Sequence, residues 1–213
     1  MDFQPQVSPE HYRGLEYDSK DRFISYWTQI DQVVSVEPKS VLEVGIGNGF
    51  VHRYLKSLGI DVHTLDAERR LGPDTVGSVL ELPFGDGAFD AACCFETLEH
   101  LPFEKFGRAA SELARVAERW VLLSLPDVTP YFRAVVEVGF KKQVVNRFFD
   151  LPAALPEEHQ FDGEHYWEVG KKGFPLSRVV SELEAAGLSV ERTPRIEENP
   201  WHRFFRCRKN QKR

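Results

Sequence analysis

The sequence predicts an α/β fold built around a mainly parallel β-sheet. Apolar runs such as SVLEV (40–44), DVHTLD (61–66) and RWVLLSLPD (119–127) alternate along the chain with segments of helical periodicity. Short apolar runs of this kind are typical of strands that helices cover on both faces. Because strand and helix patterns alternate, we expect most connections to be crossovers between parallel strands.

Four segments carry the helical pattern. The first, 20–36, places Phe23, Tyr26, Trp27 and Ile30 at spacings of three and four, which predicts an amphipathic helix. The second, FVHRYLKSLG (50–59), is expected to end at Gly59. The third and fourth are 103–118 and 175–187. Two last segments, 188–196 and 203–208, predict closing strands that pair antiparallel at an edge of the sheet.

Length and pattern predict a single domain over 1–213. Its parts are a helical N-terminal cover (1–39), a ligand-binding core (40–128), a cap (129–173), and a closing helix with strands (174–213). The cap region lacks a clear period and is rich in aromatic residues, prolines and charges. A connection of that length is typical of a functional lid, so we expect it to contact the substrate.

Composition excludes several classes of protein. The formal net charge of −6 argues against a chain that coats nucleic acid, and the basic end, RCRKNQKR, is predicted to be solvated. The three cysteines neither form a disulfide framework nor show metal-ligand spacing. No stretch is long or apolar enough to span a bilayer. The expectation is a soluble, cytoplasmic protein without membrane insertion; the oligomeric state is left open.

The first predicted strand ends in a glycine-rich turn. Gly45, Gly47 and Gly49 alternate in VGIGNGF, and such glycines let backbone N–H groups approach a ligand at the carboxyl end of a parallel strand. Enzymes that bind dinucleotides space their glycines G-x-G-x-x-G, whereas Phe50 stands at the third glycine position of this chain. The turn therefore favours a ligand other than a pyrophosphate.

Two carboxylates accompany the turn. Glu43 lies inside the first strand, where a buried carboxylate is costly unless it has a partner. Asp66 ends the second strand, where it can accept from the two hydroxyls of a ribose. This pair suits a ligand that has a ribose and an amino-acid tail but no phosphate.

The motifs VLEVGIGNGF, LD and GSVLELPFGDGAFDAACCFETLEHLPF, in that order, resemble the class I S-adenosylmethionine-dependent methyltransferases, in the broad group that includes the ubiquinone-pathway enzymes. The resemblance covers roughly residues 40–125. It implies a Rossmann-like, seven-stranded sheet with helices on both faces, an antiparallel last strand and a small cap inserted after strand five. It also implies S-adenosylmethionine as the cofactor.

The same resemblance implies where the cofactor lies. The glycine turn would hold the methionine portion, and Asp66 the ribose. Where the family often has an acidic residue for the adenine amino group, this chain has Ser78, so its hydroxyl or the backbone of Val79 is expected to serve. The predicted cofactor site comprises Glu43, Gly45, Ile46, Gly47, Asn48, Gly49, Asp66, Ala67, Ser78, Val79 and Phe95.

The segment FETLEHLP (95–102) carries the candidate catalytic groups. If it is helical, Glu96, Glu99 and His100 share one face. An acceptor hydroxyl must lose its proton during methylation, so Glu96, His100 and His165 are predicted as catalytic residues. For His202 and Arg203 a structural role is favoured, and the aromatic residues of the first helix are interpreted as an ordinary buried face.

A divalent metal ion is the alternative use of the same segment. Glu96, Glu99 and His100 can supply ligands, with His165 as the fourth. This arrangement is similar to that of metal-dependent small-RNA 2′-O-methyltransferases, and its E-x-x-E-H part also resembles the ubiquinone-pathway O-methyltransferases. However, LEHL occurs across the superfamily without metal, where its residues hold a loop over the cofactor.

The functional hypothesis is transfer of a methyl group from S-adenosylmethionine to a small-molecule acceptor, at oxygen. Two alternatives stay open. Metal-assisted methylation of RNA or another polymer would need a basic groove beside the cofactor. A non-catalytic regulatory or scaffold subunit would bind the cofactor without turnover.

Overall fold

The computed structural model describes residues 8–12, 14–138, 143–151 and 156–211. The helices are α1 (Lys20–Val34), α2 (Phe50–Ser57), α3 (Phe106–Val116) and α4 (Leu176–Ala185). The strands are β1 (Ser40–Val44), β2 (Asp61–Asp66), β3 (Thr75–Val76), β4 (Phe89–Phe95), β5 (Ala117–Pro126), β6 (Tyr131–Val138), β7 (Gln143–Asp150), β8 (Leu188–Arg192) and β9 (His202–Lys209).

Seven strands form one sheet in the order β3-β2-β1-β4-β5-β9-β8. The pairings among β1 to β5 are parallel, whereas β9 runs antiparallel to both β5 and β8. The order reverses beside β1, so the carboxyl ends of β1 and β4 border a crevice where ligands bind in open α/β sheets. This arrangement confirms the predicted fold class and the antiparallel closing strands.

The sheet separates two buried apolar clusters. Leu42 of β1 packs with Leu113 of α3 and Val179 of α4, while Val41 packs on the other side with Leu55 of α2. Both faces of the parallel strands are therefore covered, which is why their sequences read as continuous apolar runs. Leu55 is fully buried, and its truncation to alanine is expected to cost about 2–5 kcal/mol.

The region predicted as a cap contains two parts. One is the antiparallel hairpin β6/β7, which forms a sheet of its own and had no counterpart in the sequence prediction. The other is an extended segment anchored by Trp167, whose fully buried ring packs edge-on against Phe103 and Phe106. The indole N–H of Trp167 donates to the carbonyl of Leu101 at 3.0 Å. This contact ties the segment to the loop that follows β4.

Two predictions about helices need correction. The segment 103–118 is a 3₁₀ turn (Phe103–Lys105) followed by α3, which ends at Val116 because β5 begins at the next residue. The aromatic residues of α1 do not form one buried face, since Trp27 is 67% exposed while Tyr26 is 6% exposed. Among the described residues, no helix is long and apolar enough to cross a membrane.

Candidate cofactor site and active site

A cavity of about 1140 Å³, counted with its open mouth, lies at the carboxyl ends of β1, β2 and β4. The glycine turn, the end of β2, the loop after β4 and the segment before α1 form its walls. Its charged lining residues are one arginine and four carboxylates, namely Arg22, Glu43, Asp66, Glu68 and Glu96. The cavity is therefore acidic rather than basic.

The turn after β1 depends on left-handed backbone at its glycines. Gly45 has a φ of 80° and Gly47 a φ of 50°, a region that side-chain-bearing residues rarely adopt. A Cβ on Gly45 would also collide with the hydroxyl of Thr97. A Cβ on Gly47 would stand 3.7 Å from the ring of Tyr12 and 3.7 Å from the hydroxyl of Tyr17. The turn thus fits between the loop after β4 and the N-terminal segment.

Asp66 joins the end of β2 to this turn. Its carboxylate accepts from the backbone N–H of Ile46 at 2.8 Å and from that of Glu68 at 2.8 Å. Burial raises the pKa of Asp66 above its ordinary value, although these hydrogen bonds oppose the shift. Each oxygen accepts one backbone bond, so lone pairs are left for the hydroxyls of a ligand in the cavity.

Glu43 lies deeper in the wall and is 4% exposed. Its Oε2 is 3.3 Å from Nδ1 of His52, but both atoms lack a well-formed hydrogen bond among the described residues. Burial raises the pKa of Glu43, with His52 acting in the opposite direction. A buried carboxylate without a well-formed hydrogen bond can be stabilised by a positively charged group in the cavity.

The N-terminal segment covers the turn through a hydrogen-bonded network. Asn48 donates from its side-chain nitrogen to Asp18 at 2.7 Å and to the hydroxyl of Tyr26 at 2.9 Å. The Tyr26 hydroxyl itself donates to Asp18 at 3.0 Å. The Asn48 side chain, predicted to contact the cofactor, therefore fastens α1 and its preceding loop to the glycine turn.

Four more of the predicted cofactor residues line the other walls, whereas Gly49 caps the start of α2 and is not part of the described lining. Ser78 accepts from the backbone N–H of Leu80 at 3.2 Å, so its hydroxyl hydrogen can still be donated. Val79 and Phe95 are each 7% exposed and supply apolar surface to the cavity, and Ala67 follows Asp66 in its lining.

Glu96 belongs to a chain of buried polar groups that we call the Glu96 cluster: Gln29, Ser25, His202 and Glu96. Gln29 donates to Ser25 Oγ at 3.4 Å, and that hydroxyl lies 2.7 Å from Nδ1 of His202. Nε2 of His202 is 3.3 Å from Oε2 of Glu96. Burial lowers the pKa of His202, which favours the neutral ring. The contact between His202 and Glu96 is electrostatic, at a distance of 3.3 Å.

Glu96 has a backbone φ of 48°, which is unusual for a residue other than glycine. Its backbone N–H is held by the carbonyl and the hydroxyl of Ser124, both at 3.1 Å. Oε1 of Glu96 has no hydrogen-bond partner among the described residues. Strained backbone of this kind is concentrated at functional sites.

Glu99, His100 and His165 form a second group, the Glu99 cluster, whose ligand-type atoms lie within 4.8 Å of one another. Glu99 is 1% exposed, and both its carboxylate oxygens lack a hydrogen-bond partner among the described residues. Burial, followed by the nearby Glu96, raises the pKa of Glu99 well above its ordinary value.

The pKa values of the two histidines in the Glu99 cluster are shifted in opposite directions. His100 Nδ1 lies 2.9 Å from the carbonyl of Glu164, and burial lowers the pKa of His100. Burial also acts to lower the pKa of His165. The carboxylates of Glu168, which lies 3.1 Å from Nδ1, and of Asp162 outweigh burial, so the pKa of His165 is raised overall.

The helix considered for 95–102 is wrong, because only a 3₁₀ turn (Leu98–His100) forms there. Glu96 precedes that turn with left-handed backbone, and its carboxylate is directed to His202 rather than to the Glu99 cluster. The structure therefore brings together Glu99, His100 and His165, while Glu96 occupies a separate cluster.

Comparison with known families gives a match over part of the chain. Residues 42–120 match the sequence model of a family described as a methyltransferase domain. This segment, which is more than a third of the chain, is therefore similar to a methyltransferase domain. The matched segment runs from β1 into β5 and so includes the glycine turn, Asp66 and Glu96.

A curated relative of the chain is a probable chloroplastic tocopherol O-methyltransferase of Oryza sativa subsp. japonica. The two are 39% identical over 98 residues, which is 38% of this chain. The aligned part is 26% of the relative's length, so the chain spans about a quarter of that protein.

Two solved methyltransferase structures have the same fold at low identity. Magnesium protoporphyrin IX methyltransferase of Synechocystis PCC 6803, with bound S-adenosylhomocysteine, is 15% identical, with a TM-score of 0.61 over 89% of this chain and 84% of the other. The 1,6-didemethyltoxoflavin-N1-methyltransferase of Burkholderia thailandensis is 16% identical, with a TM-score of 0.57 over 98% and 93%.

S-adenosylmethionine is the cofactor that this similarity implies, and the residues fit it. The cationic amino group of the methionine would complement the buried carboxylate of Glu43, which has no well-formed hydrogen bond among the described residues. Asp66 has lone pairs for the ribose, and the acidic lining suits a sulfonium cation.

Sequence reasoning missed several residues of this site. Tyr12, Arg22 and Gln29 line the cavity, and Ser25 lies behind it. All four lie in the segment before β1. The only signal in that part of the sequence was the spacing of apolar residues that is typical of a helix. His202 was predicted to be structural, whereas it contacts a group in the cavity wall.

Proposed function

We propose that this chain is an enzyme that transfers a methyl group from S-adenosylmethionine to an oxygen atom of a small-molecule acceptor. The observation that carries the proposal is Glu96, a carboxylate in the wall of the same cavity as the glycine turn. Oε2 of Glu96 lies 3.3 Å from Nε2 of His202, and Oε1 has no hydrogen-bond partner among the described residues.

When bound, the cofactor supplies a methyl group already activated by its sulfonium sulfur. The protein must therefore align the acceptor and remove its hydroxyl proton. Glu96 takes that proton onto its carboxylate, and the N–H of His202 stabilises the negative charge before the transfer. Burial lowers the pKa of His202, so we expect a neutral imidazole, which carries its hydrogen on Nε2 when Nδ1 accepts from the Ser25 hydroxyl.

The acidic lining supports a small acceptor rather than a polymer. A nucleic-acid substrate would bring phosphates next to Glu43, Asp66, Glu68 and Glu96, with only Arg22 among the charged lining residues to offset them. The printed names of the relatives, which refer to tocopherol, magnesium protoporphyrin IX and 1,6-didemethyltoxoflavin, agree with small-molecule methylation.

The test is methyl transfer from radiolabelled S-adenosylmethionine to a panel of phenols and quinols, together with calorimetric binding of S-adenosylhomocysteine. Glu96→Gln should lose turnover and keep binding, while the exposed Glu184→Gln is the matched control. Binding with no loss of turnover in Glu96→Gln would contradict the role of Glu96. Absence of S-adenosylhomocysteine binding by the wild type would contradict the whole proposal.

A second candidate is methylation assisted by a divalent metal held by the Glu99 cluster. The observation in its favour is the fully buried Glu99 carboxylate, which lies near nitrogens of His100 and His165 and has no hydrogen-bond partner among the described residues. Glu99, His100 and His165 would hold the ion, and Asp162 and Glu168 lie around the last of these.

Calorimetric titration with Mn²⁺ and Mg²⁺ separates this candidate from a metal-free site. Saturable binding that His165→Ala removes would support the metal. If neither ion binds, the raised pKa of Glu99 indicates a neutral carboxyl group that serves the structure of the loop.

A further inference from the structure

Arg22 brings a positive charge into an acidic cavity. Among the described residues that line the cavity, the other charged side chains are four carboxylates. The ring of His100 also lines it, but burial lowers the pKa of that histidine and so favours its neutral form. Within the described part of the chain, the Arg22 guanidinium forms no ion pair with a carboxylate. Its charge is therefore available to an anionic group of a ligand.

The position of Arg22 in α1 is unfavourable for a cation. Ser19 is the N-cap of this helix, and its hydroxyl accepts from the backbone N–H of Arg22 at 3.3 Å. Arg22 thus lies in the first turn, at the positive end of the helix dipole, where a negative rather than a positive side chain is stabilising. Helix formation does not account for an arginine at this position, so binding of an anion is the better explanation.

The ring of Tyr17 fixes where this charge lies. The guanidinium of Arg22 is 4.5 Å from the centre of the Tyr17 ring, a distance at which the face of an aromatic ring attracts a cation. The hydroxyl of Tyr17 would in turn stand 3.7 Å from a Cβ on Gly47. Arg22 is therefore held one aromatic ring away from the glycine turn.

The glycine turn has few donors of its own for an anion. The backbone N–H groups of Gly45, Ile46 and Gly49 donate to Leu65, Asp66 and Ile46, respectively. Three of the five N–H groups between positions 45 and 49 are thus used within the protein. An anionic group beside this turn needs a donor from another element, and the N-terminal segment supplies one.

The methionine portion of S-adenosylmethionine carries such an anionic group. Its amino group and its carboxylate are attached to the same carbon, so a cavity that offers Glu43 to the amino group receives the carboxylate as well. Like charges that share a site disfavour each other, and this carboxylate would enter a lining rich in carboxylates. A cation beside the turn removes that conflict.

We propose that Arg22, stacked on Tyr17, binds the carboxylate of the cofactor's methionine portion. A planar guanidinium can donate two parallel hydrogen bonds to a carboxylate, which a lysine cannot. Glu43 and Arg22 then bind the two charged groups of the amino acid from opposite elements, β1 and α1. This inference rests on the proposed function, because it takes S-adenosylmethionine as the cofactor. It makes the N-terminal segment part of the cofactor site.

Calorimetric titration with three ligands tests the proposal. S-adenosylhomocysteine has both charged groups of the amino acid, its decarboxylated analogue keeps only the amino group, and 5′-methylthioadenosine has neither. Arg22→Met should weaken binding of S-adenosylhomocysteine by about 10–100-fold and leave binding of the other two ligands unchanged. Arg22→Lys keeps the charge without the planar fork, so it should recover part of the affinity.

Arg178→Met is the matched control, because that guanidinium lies 4.3 Å from the centre of the Phe103 ring and outside the described lining of the cavity. It should bind all three ligands like the wild type, and circular dichroism checks that the variants fold. An equal loss for all three ligands in Arg22→Met, or no loss for S-adenosylhomocysteine, would overturn the proposal. So would a wild type that binds the decarboxylated analogue as tightly as S-adenosylhomocysteine. If the wild type bound none of the three, the proposed function would fail as well.

Discussion

Glu96 and Glu99 lie three residues apart in the loop after β4, yet their carboxylates have opposite surroundings. Glu96 meets His202 at 3.3 Å and lines the cavity. Glu99 is almost fully buried, and its oxygens have no hydrogen-bond partner among the described residues. The left-handed backbone at Glu96 separates the two, because it directs one side chain to β9 and leaves the other beside His100 and His165. We propose Glu96 as the catalytic group because it lines the cavity beside a polar partner, whereas burial alone would have favoured Glu99.

The largest effect is expected from Glu96→Gln. An amide of nearly the same shape cannot take the acceptor's proton, so methyl transfer should fall by about 10²–10⁴-fold. Affinity for S-adenosylhomocysteine should stay unchanged, because we expect the glycine turn and Asp66 to bind the cofactor. If Glu99→Gln lost turnover to a similar extent and Glu96→Gln did not, Glu99 rather than Glu96 would be the residue that takes the acceptor's proton.

His202→Leu should lower methyl transfer by about 10–100-fold, because a hydrogen bond to a charged group contributes about 1.5–3 kcal/mol. His202→Gln retains an N–H at a similar distance and should recover part of the rate. If His202 serves packing alone, leucine will be tolerated better than glutamine. The effect should also disappear in the Glu96→Gln background, as measured by a double-mutant cycle.

Glu99→Gln should change stability rather than turnover. Burial raises the pKa of Glu99 in the folded protein, so its contribution to stability is fully present below the unfolded pKa and is lost as pH rises through the folded pKa. Wild type and variant should therefore be similar in acid, and the variant should be more stable at neutral pH by about 1–3 kcal/mol. Urea denaturation at both pH values measures this.

A metal in the Glu99 cluster would give the opposite result. In the presence of Mn²⁺ the wild type would gain stability that Glu99→Gln lacks, since an ion that binds only the folded state stabilises it. Equal denaturation curves with and without Mn²⁺ would assign Glu99 to the structure of the loop.

The smallest effect is expected from Ser25→Ala. The hydroxyl contacts the far nitrogen of His202 and accepts a long hydrogen bond from Gln29, and the contact with His202 is one neutral hydrogen bond of about 0.5–1.5 kcal/mol. Methyl transfer should fall by about two- to tenfold. The exposed Ser111→Ala serves as the control, and a loss as large as that of His202→Leu would show that Ser25 has a further role.

The cofactor end of the site was predictable because its signals are local. Three alternate glycines, a strand carboxylate and Asp66 lie within one strand-turn-helix-strand unit, whose geometry follows from the parallel sheet. The Glu96 cluster was not predictable, since Ser25, His202 and Glu96 come from three elements that meet only in the folded chain. The positive φ of Glu96 accompanies hydrogen bonds that its backbone N–H donates to Ser124 in β5, and it has no sequence signature.

The hairpin was missed for a different reason. Its strands have apolar residues on both faces, including Val135 and Val136 in succession, so they lack the alternation that marks a half-buried strand. The long connection after β5 indicated a functional element, but only the register shows that Phe132 and Phe149 lie side by side.

Calorimetric titration of the purified wild-type protein with S-adenosylhomocysteine, with NAD as the comparison ligand, tests the central claim most directly. We expect saturable binding of S-adenosylhomocysteine at one site per chain and none of NAD, with the same affinity for S-adenosylhomocysteine in Glu96→Gln. Binding of NAD without binding of S-adenosylhomocysteine would contradict it, because the glycine turn would then hold a pyrophosphate.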